Sequence, residues 1–333
     1  MNKILTVVIP TYNMEKYLRR CLDSLIIDDK ELFDYLEVLV INDGSKDSSS
    51  AIAHEYQDRY PNVFRVIDKE NGNYGSCVNR GLKEASGKFF RILDADDWFD
   101  TSALQILLSK LSEIDSDVIF TQHQLCNSDG NNVFFPVSGV PSCEYKIDRF
   151  DFIATKNSRL LSMHSITYKT TFVHEVNLRQ QEGISYTDIE YCYFPLVKAE
   201  TFQYIDVCLY NYYIGREGQT VSKEAEIKHF NDFYLVCSRL INDYVELDDI
   251  SVQRRKMLIE TIMHALTNFY FICLVYKKKL GSNDVTKLKE VDNMVQQEAQ
   301  LLDSMKKSTY HKIPYYMIWK RFGFRLGILL GQY

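Results

Sequence analysis

Three carboxylates packed into four positions, Asp94, Asp96 and Asp97, close the stretch Lys88-Phe89-Phe90-Arg91-Ile92-Leu93-Asp94-Ala95-Asp96-Asp97-Trp98. Like charges this close raise one another's pKa unless a cation sits among them, which points to a hard divalent metal, Mn or Mg, held by oxygen ligands. Such an ion, bound by one or two carboxylates, completes its shell with water and substrate phosphate oxygens, so a phosphate-bearing substrate is implied. The plainer alternative is a solvated acidic turn that caps the next helix, and an Asp-x-Asp by itself does not separate the two. A second chemical feature is the Gly-flanked Arg216 in Ile214-Gly215-Arg216-Glu217-Gly218. Its planar fork suits phosphate and the glycines allow a mobile loop, although a lone arginine is as often a surface ion pair.

Strands are needed to present such groups. Ile4 to Ile9 is β-branched and continuous, as in a strand buried on both faces of a parallel sheet, and Pro10 is expected to stop it. Glu15 to Ile27 has helical spacing, Leu36 to Ile41 is a second strand, and Asn42-Asp43-Gly44-Ser45-Lys46-Asp47 turns into a helix reaching about Tyr60. Phe64 to Ile67, a helix to Ala85 and the apolar run into Asp94 complete the alternation. Strand-helix repetition through the first hundred residues predicts an α/β fold with a doubly wound, mostly parallel sheet of Rossmann-like type. Ligands of such sheets sit at the carboxyl ends of the strands. The polar loops Thr11-Tyr12-Asn13, Asn42 to Ser45 and Asp94 to Asp97 all fall there. Neither a dinucleotide Gly-x-Gly-x-x-Gly nor a phosphate-wrapping P-loop occurs.

In order and spacing, Ile9-Pro10-Thr11-Tyr12-Asn13, Asn42-Asp43-Gly44-Ser45-x-Asp47, Asn71-Gly72…Gly75…Asn79-x-Gly81 and Leu93-Asp94-Ala95-Asp96-Asp97 resemble the motifs of a family 2 glycosyltransferase of GT-A fold. The likeness is close over the first hundred residues and faint in the C-terminal third. It implies a nucleoside-diphosphate-sugar donor, UDP by default, a divalent metal, and inversion at the anomeric carbon. It places Pro10, Thr11, Tyr12, Asn13, Asp43, Asn71, Asn79, Asp94, Ala95 and Asp96 in the nucleotide-sugar site, with Thr11, Tyr12 and Asp43 around the base. It also makes Asp96 and Asp94 the metal ligands, with Asp97 either a further ligand or the cap of the next helix. Arg216 resembles the arginine of a donor-binding loop. Cys77-Val78 stands where members commonly carry an Arg before the Asn, and Arg80, one residue past Asn79, points about 100° away from it on a helix.

In Gln181-Glu182-Gly183-Ile184-Ser185-Tyr186-Thr187-Asp188-Ile189-Glu190, Asp188 matches the family's catalytic base, while Thr187 stands where Glu is common. The chemistry wants a base on its own account, because a sugar hydroxyl is a poor nucleophile until a carboxylate takes its proton. Asp188 as a simple helix N-cap, and Glu182 or Glu190 as the base, are the alternatives. The resulting expectation is transfer of a sugar to a hydroxyl of a glycan or lipid-linked acceptor in bacterial-type surface polysaccharide synthesis. The rivals are an inactive sugar-nucleotide-binding scaffold and a metal-dependent nucleotidyltransferase, the latter lacking its Gly-rich triphosphate loop.

The 333 residues are 46% hydrophobic and 25% charged, ordinary for globular chains, and the net charge of −6 argues against a nucleic-acid partner. Eight scattered cysteines without Cys-x-x-Cys fit thiols in a reducing cytosol. No stretch has the roughly 18 uninterrupted apolar residues expected of a membrane span. Three segments are expected: 1–100 as the donor half and 101–222 as the acceptor half of one GT-A domain, and 223–333 as a helical region. From Ser304 the tail carries six basic residues and no acid, leaving −12 on the remainder. Its mix of aromatic, aliphatic and basic residues fits a helix on the anionic inner face of the cell membrane, or one docked on the acidic body.

Overall fold

Aliphatic runs that are buried on both faces form the parallel part of the sheet in a computed structural model that describes residues 2–127, 132–216 and 218–323. Two compact units divide at Arg216/Glu217. The first begins with β1 (Leu5–Thr11), two short helices α1 (Leu18–Asp23) and α2 (Lys30–Asp34), and β2 (Leu36–Asn42). α3 (Ser49–Arg59), β3 (Phe64–Asp68), α4 (Asn73–Glu84) and β4 (Phe89–Ile92) follow. β1 pairs in parallel with β2 and β4, and β2 with β3, giving the order β3-β2-β1-β4. Leu5, Val7 and Ile9 of β1 share one core with Val38 and Val40 of β2, Leu18, Leu22 and Ile52.

The same sheet continues through β5 (Trp98–Phe99), α5 (Thr101–Leu111), β6 (Val118–Asn127), β7 (Asn132–Phe134), β8 (Tyr145–Lys146), β9 (Ile166–Lys169), α6 (Thr170–Glu175), α7 (Asp188–Lys198) and β10 (Thr201–Ile214). β9 lies antiparallel between β4 and β6, and β10 runs parallel to β6. The long pairings are parallel and the short ones antiparallel, and all of these strands belong to one sheet.

Several boundaries differ from the sequence reading. β1 continues through Pro10 to Thr11. Its pairing with β4 ends at Val8, so Pro10 falls where only the β2 side is bonded and its missing N–H costs no ladder bond there. The helix expected over Glu15 to Ile27 contracts to α1. The cap of α5 is Asp100, which accepts from the Ala103 N–H at 2.8 Å, and not Asp97. β6 and β7 pair antiparallel on either side of residues 128–131, which lie outside the described residues.

The second unit is helical: α8 (Lys223–Lys228), α9 (Phe230–Val245), α10 (Val252–Phe271) with a π-helical turn over Ile272–Tyr276, α11 (Ser282–Gln297), α12 (Ala299–Lys307) and α13 (Tyr315–Phe322). Glu298 separates α11 from α12. Val252–Tyr276 is long and apolar enough to cross a bilayer by length and composition, yet 67% of its most apolar window is buried inside the protein. In α13, Tyr315 and Tyr316 are buried. Asp292 of α11 accepts from Tyr316 Oη at 2.9 Å and Lys320 Nζ at 2.8 Å. One of the six tail cations is therefore spent on docking within the unit, while Met317, Arg321 and Phe322 face solvent. Arg325 lies outside the described residues.

Candidate active site

The loops after β1, β2 and β4 meet at the carboxyl edge of the sheet because parallel strands deliver their ends to one side. Asn13, at φ 55°, accepts from the Lys46 N–H at 2.7 Å, and its own N–H donates to Ser45 Oγ at 3.0 Å. This pins the first loop to the second. Thr11 is buried and its hydroxyl donates back to the Ile9 carbonyl at 3.1 Å, so its backbone, not its hydroxyl, lines the loop. Tyr12 is exposed beside it, and Pro10 is half-buried.

Asp43 is buried in an ion pair with Lys69, and its Oδ1 also accepts from the Gly72 N–H at 2.9 Å. Asn71 Nδ2 donates to the Asp43 carbonyl at 3.0 Å. Lys69, which the motifs do not contain, thus ties the second loop to the start of α4 and further donates to Ser76 Oγ at 2.8 Å. Asn79 spends its amide elsewhere: Nδ2 donates to the Gln180 carbonyl and Glu182, both at 2.9 Å, and Oδ1 accepts from the Gln180 N–H at 2.9 Å. The residue read as a nucleotide contact is a clamp between α4 and the segment leading to Asp188. The two approach so closely that a Cβ on Gly75 would fall 2.0 Å from the Gln181 carbonyl oxygen.

The acidic cluster separates into three environments. Asp97 is fully buried, accepting from Tyr210 Oη at 2.6 Å and the Tyr213 N–H at 2.7 Å. Burial, with Asp96 and Asp94 adding, pushes its carboxyl well up. Asp96 is paired through Oδ2 with Arg216 Nε, while its carbonyl accepts from Arg20 at 2.7 Å. Gly215, at φ 99°, lets the chain turn after β10 so that Arg216 returns over the cluster. Asp94 accepts from Tyr74 Oη at 2.8 Å, and its N–H donates to Tyr210 Oη at 3.2 Å. Its carboxyl is pushed up to about 7, first by burial, then by Asp96 and Asp188. Ala95 between them is buried.

Asp188 opens α7 as its first residue; the cap position is Thr187, so the simple N-cap alternative does not hold. Its charge adds to the burial that raises Asp94, Tyr74 and Tyr212. Tyr186, at φ 64°, makes the turn that delivers it, a backbone state uncommon for a bulky residue and one that concentrates at functional sites. Glu190 is buried and accepts from the Gln181 N–H at 2.8 Å and Nε2 at 2.6 Å, and Glu182 holds Asn79. Both alternative bases thus have structural partners.

A divalent cation fits the donor set. Asp94, Asp97 and His164 each offer a ligand atom, all within 4.8 Å of one another. Carboxylates whose protonated forms are favoured by burial would be relieved by such a charge. The pair read from sequence was Asp94 and Asp96; the structure keeps Asp94 at the cluster, turns Asp96 to Arg216, and brings in His164. A cavity of about 630 Å³ lined by Asp115, Asp117 and Lys169 lies at the other ends of β6 and β10, away from these groups.

A GT-A-type, Rossmann-like sheet with its acidic cluster at the strand ends defines the class. The model for glycosyl transferase family 2 matches residues 6–172, half of the chain, and the chain belongs to that family. GlyG of Streptococcus pneumoniae is 26% identical over 76% of this chain and 85% of its own length. GlyA of the same organism is 32% identical over 40% of this chain, but that match spans only 19% of GlyA. Among solved structures, S. aureus TarS 1-349 in complex with UDP-GlcNAc has a TM-score of 0.64 at 20% identity, covering 91% of this chain and 85% of that one. The mannosyltransferase PcManGT of Pyrobaculum calidifontis, in complex with GDP-Man and Mn2+, has a TM-score of 0.53 at 14% identity, over 100% and 81%.

Proposed function

We propose that this protein transfers a sugar, with inversion, from a nucleoside-diphosphate donor, UDP-linked by default, to a hydroxyl of a glycan or lipid-linked acceptor. The observation that carries the reading is the cluster at the carboxyl end of β4, where Asp94, Asp97 and His164 bring ligand atoms within 4.8 Å of one another beside the joined loops after β1 and β2. Family membership and structural neighbours that bind UDP-GlcNAc or GDP-Man support it. The Pro10–Asn13 loop and Asp43 receive the base and ribose, Asp94 and Asp97 with His164 hold the metal, and Arg216 swings from Asp96 to the diphosphate. The metal, when bound, neutralises the charge that builds on the departing diphosphate. Asp188 takes the proton of the acceptor hydroxyl as that oxygen attacks the anomeric carbon from the face opposite the leaving group, forming the glycosidic bond while the bond to the nucleoside diphosphate breaks.

The test is a panel of nucleotide sugars assayed with Mn2+ or Mg2+ and then with excess chelator. Metal-dependent release of a nucleoside diphosphate is expected. Release of pyrophosphate would identify a nucleotidyltransferase, and donor binding without turnover on any acceptor would identify a scaffold. The outer face of α13, with Met317, Arg321 and Phe322, fits a peripheral site on anionic lipid, as each basic residue near such a surface contributes about 1 kcal/mol. Full-length protein is expected to sediment with phosphatidylglycerol vesicles at low salt, and less so as Phe322→Ser. No sedimentation of the wild type would end this part of the reading.

A further inference from the structure

Arg91 is a fully buried cation within the sheet. It lies on β4 between Phe90 and Ile92 with none of its surface exposed. Among the described residues no acid pairs with it. Nη1 donates to Thr121 Oγ1 at 3.1 Å and Thr167 Oγ1 at 2.8 Å, Nη2 donates to the His164 carbonyl, and Nε has no hydrogen-bond partner. Burial pulls its guanidinium down to about 10. An isolated buried cation with an unmet donor destabilises a fold relative to an apolar side chain of similar volume. β4 would be better served by an aliphatic residue if packing were all that mattered.

What Arg91 touches lies directly behind the reactive cluster. Its guanidinium sits 5.4 Å from the Phe99 ring centre and 5.9 Å from that of Tyr210. The Tyr210 hydroxyl is the group that holds Asp97 Oδ2 and the Asp94 N–H. The carbonyl it binds belongs to His164, whose ring packs against Tyr212 at 4.3 Å and Tyr210 at 4.8 Å. Its other arm joins β6 to β9 through the two threonines. One side chain thus braces the strand carrying the carboxylates, the histidine backbone and the tyrosine between them.

We propose that Arg91 is a positioning residue that fixes His164 and Tyr210 relative to Asp94 and Asp97, and so sets the geometry of the metal and diphosphate site at the expense of stability. The proposal rests on the functional reading given above. It differs from an ordinary packing role in sign: losing Arg91 weakens the site while leaving the fold as stable or more so.

The experiment compares wild type with Arg91→Met, which keeps volume without charge, and Arg91→Lys, which keeps charge without the fork. Melting temperature is read without metal, and UDP binding is read by calorimetry with and without Mn2+. Donor turnover is split into kcat and KM. Expected for Arg91→Met are an unchanged or raised melting temperature and an about ten-fold or greater loss of Mn2+-dependent UDP affinity, the scale typical of supports to metal ligands. Binding without metal should be unchanged, and Arg91→Lys should show most of the same loss. A clear drop in melting temperature, or failure of Arg91→Met to fold, would make Arg91 structural and overturn the proposal. So would unchanged Mn2+-dependent binding in either variant. If wild type itself neither binds UDP or GDP with Mn2+ nor turns over any donor, it is the functional reading that has failed, and the role given to Arg91 goes with it.

Discussion

Asp188→Asn is expected to lower kcat by roughly 10²-fold or more while leaving donor affinity close to that of wild type. Asp188 sits in the first turn of α7, after the turn made by Tyr186. Asn has the same shape and can keep a polar group at that turn, so the fold should not move. What disappears is the acceptor of the proton, which matters only as the hydroxyl attacks. The measurement is kcat and KM for the best donor found, together with donor binding in the absence of acceptor. If binding collapses while kcat survives, Asp188 belongs to the nucleotide site and the base lies elsewhere.

The parts of this site that the sequence exposes are those fixed by local rules. β1 and β2 are runs of apolar residues buried on both faces, so their ends, and hence the loops at Asn13 and Asp43, are legible from composition alone. Asp188 is legible only through the family motif, since any Asp after a loop looks like a cap. The groups that complete the cluster are not legible. Tyr210 reaches the acidic loop from 113 residues away, and Tyr74 and His164 meet Asp94 through the tertiary fold. A lone tyrosine or histidine carries no period or spacing that announces such a contact. Nor does the sequence distinguish three nearby aspartates; burial under Tyr210 and Tyr213, pairing with Arg216, and the hydrogen bond from Tyr74 are what make Asp97, Asp96 and Asp94 different. Asn79 shows the converse, a motif residue whose amide is used to hold the chain. The antiparallel insertion of β9 between β4 and β6 is likewise set by long-range packing, since its four residues resemble any short strand.

Asp94→Asn is expected to abolish metal-dependent release of the nucleoside diphosphate and to remove a pH dependence at the same time. Burial, then Asp96 and Asp188, hold the Asp94 carboxyl at about 7 against an ordinary 3.8. Because the folded value is the higher one, the native state keeps a proton that the unfolded chain gives up. This contribution to stability is complete below the unfolded value and is lost as pH rises through about 7. Metal-free wild type should therefore melt at progressively lower temperature between pH 5 and pH 8, and added Mn2+ should restore the loss at the upper end. Metal and proton compete for the same oxygens, so the metal concentration for half-maximal activity should rise by up to about ten-fold per pH unit below 7. Asn cannot titrate and offers the ion no charge. In the variant the metal-free melting curve should flatten over this window, and Mn2+ should no longer protect. Asp94 is not a ligand if the variant retains metal-dependent turnover, or if the wild-type metal requirement is the same at pH 6 and pH 8. Retained turnover would instead leave Asp97 and His164 to hold the ion without it.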